Sequence, residues 1–198
     1  MMRRKVVISL FVLLAIIQLA VPAVMIAKRE LTLRNGKVFK FATAPIDPYD
    51  AFRGRYVRLN FAESEIPLPS GLDIDRGQWV YAELSKGGND FAEIDNLSVT
   101  PPTEQPYIKV KVSYVNRRKD EIMLDFPFDR YYLEEEVAKA AEEHYQQLTR
   151  KQQLASYVRV RVNDGFAVLE ELYLDGQPIL EYVKKSISSV TFGLLSKH

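Results

Sequence analysis

At 198 residues the chain has room for one modest domain plus a short appendage, and 47% apolar content is enough to build a real core. No cysteine occurs, which excludes disulfides, thiolate metal sites and cysteine nucleophiles together. The 27 basic residues less Arg3, Arg4 and Lys5 leave 24 against 26 acidic, a net of −2 that argues against nucleic acid as a partner.

The first element is apolar. Arg3, Arg4 and Lys5 precede residues 6–27, a run without any charge whose only polar side chains are Ser9 and Gln18. At about 1.5 Å per residue a helix over this run spans roughly 33 Å, close to the hydrocarbon thickness of a bilayer. One reading is an uncleaved signal anchor. The other is a signal peptide cut at Val21-Pro22-Ala23; the length of the run and the placing of Pro22 favour the anchor. Both flanks are basic, so charge bias alone does not orient the segment. A folded domain behind a basic leader and a first hydrophobic segment is expected outside. That puts the N-terminus inside, residues 1–27 in the cytoplasmic membrane and residues 28–198 in the periplasm or extracellular space.

Beyond the anchor the pattern is mostly β. Residues 30–33 and 37–44 flank Arg34-Asn35-Gly36, and Asn-Gly between such runs predicts a hairpin. Phe39 and Phe41 are expected to face the core. Residues 45–61 form a Pro/Asp/Arg/Gly-rich loop that turns at Gly54, then a strand running to about Ser64. Leu59 and Phe61 lie on one face of that strand, with Tyr56, Arg58 and Asn60 on the other. Residues 78–84 and 91–99 read as a hairpin. Ile108, Val110, Val112 and Tyr114 alternate with polar residues, as in a half-buried strand, and residues 121–126 return. Asp129 reads as the N-cap of a helix over about 130–151. Residues 157–162 and 166–174 make a last hairpin around Asn163-Asp164-Gly165, with Asp175-Gly176 turning again; residues 179–198 favour helix. The expected architecture is α+β and mainly antiparallel β. Its hairpins form a sandwich or open barrel, with one long helix about 130–151, behind one N-terminal transmembrane helix.

The stretch from Asp47 through Phe61 resembles the signature of the GDYXXLXY family of bacterial membrane-anchored proteins. Gly54, Tyr56 and Leu59 fall at the family's spacing, while Arg55 replaces its aspartate and Phe61 its last tyrosine. The resemblance implies a signal-anchored extracytoplasmic protein, often encoded beside multi-spanning membrane proteins, with no established activity.

Each candidate residue has two readings. Asp47 and Asp50, with Glu134 brought near by folding, could serve as paired carboxylates for acid–base work or a hard cation, or could simply cap turns. Arg53, Arg55 and Arg58 could hold a carboxylate or lipid phosphate, or pair with those aspartates to lock the loop. Tyr56 is expected to pack inward with its hydroxyl bonded to the loop. Lys109, Lys111, Arg159 and Arg161 make basic strand faces, read as solvated. His144 and His198 build no zinc site or triad, and no Gly-rich phosphate loop is present, so no catalytic residue, metal or cofactor is assigned. The reading is a non-enzymatic interaction module acting with an integral, multi-spanning membrane partner. The alternative is an envelope hydrolase or ligand sensor with a cleft around Asp47, Asp50 and Arg53.

Overall fold

The computed structural model describes residues 2–43, 56–69, 71–132 and 156–182. It opens with a single α-helix, α1 (Met2–Asn35), which includes Pro22 and is long and apolar enough to cross a membrane. None of its apolar window is buried against the rest of the chain. Only its last turns touch the sheets, packing on two strands described below, β9 and β10.

Helix α1 overrides the hairpin expected at Asn35-Gly36. Residues 30–33 are helical, and the Gly36 amide donates back to the Thr32 carbonyl oxygen at 2.9 Å. Local bonds favour continuing the helix: Thr32 Oγ1 donates to the Lys28 carbonyl oxygen at 2.9 Å, and Arg34 pairs with Glu30 at 2.8 Å. The same Asn-Gly pair that can turn a hairpin here ends a helix. Gly36 does not take a positive φ; what the position requires is the missing Cβ, which would lie 2.5 Å from the Thr32 carbonyl oxygen and 3.1 Å from the Val162 backbone.

The strands that follow are β1 (Lys37–Ala42), β2 (Tyr56–Arg58), β3 (Glu65–Pro67), β4 (Trp79–Lys86), β5 (Ala92–Ser98) and β6 (Tyr107–Asn116). After them come β7 (Glu121–Asp125), β8 (Arg130–Tyr132), β9 (Ser156–Asn163), β10 (Phe166–Leu174) and β11 (Gln177–Pro178). They form an antiparallel four-stranded sheet, β1-β9-β10-β11, a five-stranded one, β3-β7-β6-β4-β5, and the pair β2-β8. One sheet curls into a half-barrel. Isolated bridges, Lys40 with Phe91 and Ile108 with Gly165, tie the two larger sheets together.

One core fills the space between them, drawn from the alternating inner faces of the central strands. Phe39 and Phe41 of β1 and Val158, Val160 and Val162 of β9 meet Val80, Ala82 and Leu84 of β4 and Ile108, Val110 and Val112 of β6. The hairpins at Asp164-Gly165 and Asp175-Gly176 form as expected. In both, the two residues hold positive φ (47° and 75°; 49° and 75°), as a type I′ turn demands.

Two other expectations change. The strand after the signature stops at Arg58; Phe61 makes only a bridge to Thr43, and residues Ala62–Ser64 form a 3-10 turn. The helix expected from about Arg130 does not begin there, because Arg130, Tyr131 and Tyr132 pair as a strand with Arg58, Val57 and Tyr56. Two tyrosines beside a free strand edge suit a sheet, and that non-local pairing outweighs a local N-cap. Residues 133–151 of that helix lie outside the described residues. Residues 179–182 are helical, with Ile179 and Leu180 packed on the core; residues 183–198 of the helix expected there lie outside the described residues.

Candidate functional site

Of the residues singled out in the signature, Tyr56, Arg58, Leu59 and Phe61 are described, Arg58 as the last residue of β2. Asp47, Asp50, Arg53, Gly54, Arg55 and Glu134 lie outside the described residues. Leu59 is buried, and its amide donates to the Asp129 carbonyl oxygen at 2.8 Å, stitching the signature to the segment that leads into β8. Two residues on, Phe61 enters a cluster of four rings with Phe41, Phe126 and Phe128, all centroids between 5.1 and 6.1 Å apart. Tyr56 points elsewhere. It is half-buried rather than a core residue, its ring 5.8 Å from that of Tyr132, with the Arg130 guanidinium 5.3 Å above it. Alternation explains the split, since Leu59 and Phe61 share the inner face and Tyr56 the outer.

The stretch therefore fastens three elements together: β1 through Phe61, β8 through Tyr56 and Leu59, and the core through the phenylalanines. A profile of the GDYXXLXY protein matches residues 18–172. The chain belongs to the GDYXXLXY family. No curated protein and no solved structure matches it. In this GDYXXLXY protein Leu59 and Phe61, the leucine and the closing aromatic of the signature, are core residues, so that half of the motif is architecture.

Two residues past the signature, Glu63 is the least comfortable carboxylate among the described residues. Its Oε1 accepts from the Ala42 amide at 3.3 Å, while Oε2 is buried without a hydrogen-bond partner. Burial pushes its carboxyl above the ordinary value, and the amides of Glu63 itself and Ala42 pull part of the way back. It lines a cavity of about 340 Å³ with Ala42, Asn89, Phe91 and Glu93. A carboxyl raised on folding adds stability in acid and loses it as pH rises through the folded value. Glu63→Gln is therefore expected to melt above the parent near neutral pH, the gap closing as pH falls into the ordinary carboxylate range. Thermal unfolding of both chains across that range checks this.

A second organised surface is the outer face of the β1-β9-β10 sheet. A β-bulge between Leu169 and Glu171 leaves Glu170 without a partner in register and turns it toward β9. There Arg161 Nε donates to Glu170 Oε2 at 3.0 Å, with Arg159 Nε paired to the same oxygen at 3.0 Å. Burial raises the Glu170 carboxyl, but the Arg161 hydrogen bond and both guanidinium charges hold it below its ordinary value. Glu171 accepts from the Tyr131 hydroxyl at 2.6 Å; burial and this bond push the phenol up. Tyr157 and Tyr173 stack at 4.8 Å, with Arg159 over Tyr173 and Lys40 over Tyr157.

These contacts divide the four basic residues read as solvated strand faces: Lys109 and Lys111 are exposed on β6, as read, while Arg159 and Arg161 are half-buried in ion pairs on β9. Arg159 and Arg161 are spent on Glu170, whereas Lys109 lies on the other sheet over Trp79 and Tyr81. Glu170 was not singled out from the sequence. No clean signal marks the bulge, since Phe166-Ala167-Val168-Leu169 is an unbroken apolar run before Glu170-Glu171 and the strand shows no alternation to be interrupted.

Proposed function

We propose that this GDYXXLXY protein is a membrane-tethered, non-enzymatic interaction module. Helix α1 is its anchor, the N-terminus lies inside, and residues 28–198 form a single domain on the outer side of the cytoplasmic membrane. It acts there on an integral, multi-spanning partner. The observation that carries this reading is the continuity of α1. One helix runs from an exposed apolar span into turns that pack on β9 and β10, which supports a direct, linker-free attachment of the sheets to the anchor. Confining two proteins to one bilayer raises their effective concentration, so even a weak surface contact is occupied. The ordered Arg159/Glu170/Arg161 and Tyr157/Tyr173 face supports the reading as a preformed polar and aromatic docking surface.

Crosslinking in native membranes, with mass-spectrometric identification of the products, tests it. The expected result is a multi-spanning membrane protein recovered with a chain that still carries residues 1–27. A mature chain beginning just after Ala23, or one released by an alkaline wash, would overturn the anchor.

A second reading, a hydrolase or ligand sensor, draws on Glu63, whose unpartnered oxygen and adjoining cavity suit proton transfer or a cationic ligand. It requires Glu63→Gln to abolish an activity or a ligand response while leaving the fold intact.

A further inference from the structure

A cavity of about 360 Å³ is bounded by α1, β4, β6 and the β9–β10 turn. Lys28 and Lys109 bring two ammonium groups to it, Asp164 one carboxylate, and Trp79, Tyr81 and Tyr107 its aromatic wall. The groups are already ordered: Lys109 Nζ stands 5.4 Å from the Trp79 ring centroid and 5.9 Å from that of Tyr81, which meets Tyr107 edge-on at 5.6 Å. Lys28 Nζ lies 4.6 Å over Phe166. Among the described residues neither lysine is in an ion pair, while Trp79 is 51% exposed, an unusual state for so large an apolar ring.

The position of Lys28 gives the cavity its meaning. It is the first residue after the charge-free run 6–27 and continues the same helix. If that run fills the hydrocarbon layer, as the anchor reading above requires and on which this inference rests, the Lys28 ammonium and everything sharing its cavity sit at headgroup depth. Tryptophan and tyrosine favour that depth, and lysines there meet lipid phosphate. We infer that the Lys28/Lys109/Trp79 cavity binds the headgroup of a monoanionic glycerophospholipid of the host bilayer. Two ammonium groups and one carboxylate leave one net positive charge, which matches a single phosphodiester. The aromatic wall covers the glycerol backbone. Lipid capture at this point would fix the rotation of the sheets about α1.

Trp79 is the only tryptophan in the chain, so its fluorescence reports on this cavity alone. The full chain is reconstituted into phosphatidylcholine vesicles containing a small fraction of acyl-brominated phosphatidylglycerol, or the same fraction of brominated phosphatidylcholine. One net positive charge near the surface predicts about fivefold enrichment of the anionic lipid at Trp79, read as correspondingly stronger quenching. Lys28→Gln with Lys109→Gln abolishes the difference. Asp164→Asn enlarges it, and asparagine keeps the left-handed backbone that Asp164 adopts. Equal quenching by the two lipids, or a preference that survives the double substitution, overturns the proposal and leaves the cavity to a protein partner. A chain that washes off both kinds of vesicle removes the anchor itself, an outcome distinct from incorporation without lipid preference.

Discussion

Phe41→Ala is expected to cost about 3–5 kcal/mol, a large share of the stability of a domain this size. Phe41 has no exposed surface, and its ring contacts those of Phe61, Phe126 and Phe128 at centroid distances of 6.1, 5.5 and 5.1 Å. The cluster joins β1, the signature and the segment between β7 and β8, three parts that cannot all collapse into one vacancy. A cavity therefore remains, and the lost transfer energy and the cavity term add. At roughly 2–4 °C per kcal/mol, thermal unfolding should fall by about 6–20 °C. Phe41→Leu, which leaves a smaller void, should lose much less. A fall of only a degree or two for the alanine variant would mean that the four rings are not packed as described.

Gly36→Ala should be the second most damaging change, for a different reason. A Cβ at this position would lie 2.5 Å from the Thr32 carbonyl oxygen and 3.1 Å from both the amide nitrogen and the carbonyl oxygen of Val162. All three neighbours are backbone, so none can rotate aside. The end of α1 would have to lift from β9, at a cost of about 1–3 kcal/mol and with a change in the angle between helix and sheet. Gly88→Ala is the control, because a Cβ there has open space around it. Thermal unfolding of both variants of the full chain in detergent should separate them clearly. If Gly36→Ala melts with Gly88→Ala, the close approach of helix and strand is wrong.

Much of the fold was legible in short-range pattern. Val80/Ala82/Leu84, Ile108/Val110/Val112 and Val158/Val160/Val162 each announce a strand with one buried face, and all are buried. Tyr114, expected on the same face as Val112, is instead 51% exposed, because a bulge between Val112 and Tyr114 shifts the register. Asp164-Gly165 and Asp175-Gly176 announce tight turns because few other pairs tolerate two positive φ angles in succession. The family signature was also readable, with Tyr56, Leu59 and Phe61 correctly sorted between outer and inner faces, although the placing of Tyr56 in the core was not.

Residue sequence alone determined the long apolar helix, the alternating strands and the turns between neighbouring strands, because each depends on interactions within a few residues. Tertiary structure decided the rest. It made Asn35-Gly36 the end of a helix packed on β9 instead of a hairpin, paired Arg130–Tyr132 with the signature as strand β8, and swung Glu170 onto two arginines through a bulge. In each of these places the local preferences differ by little more than about 1 kcal/mol, less than a distant strand contributes once it docks. The choice therefore falls to partners far away in the chain.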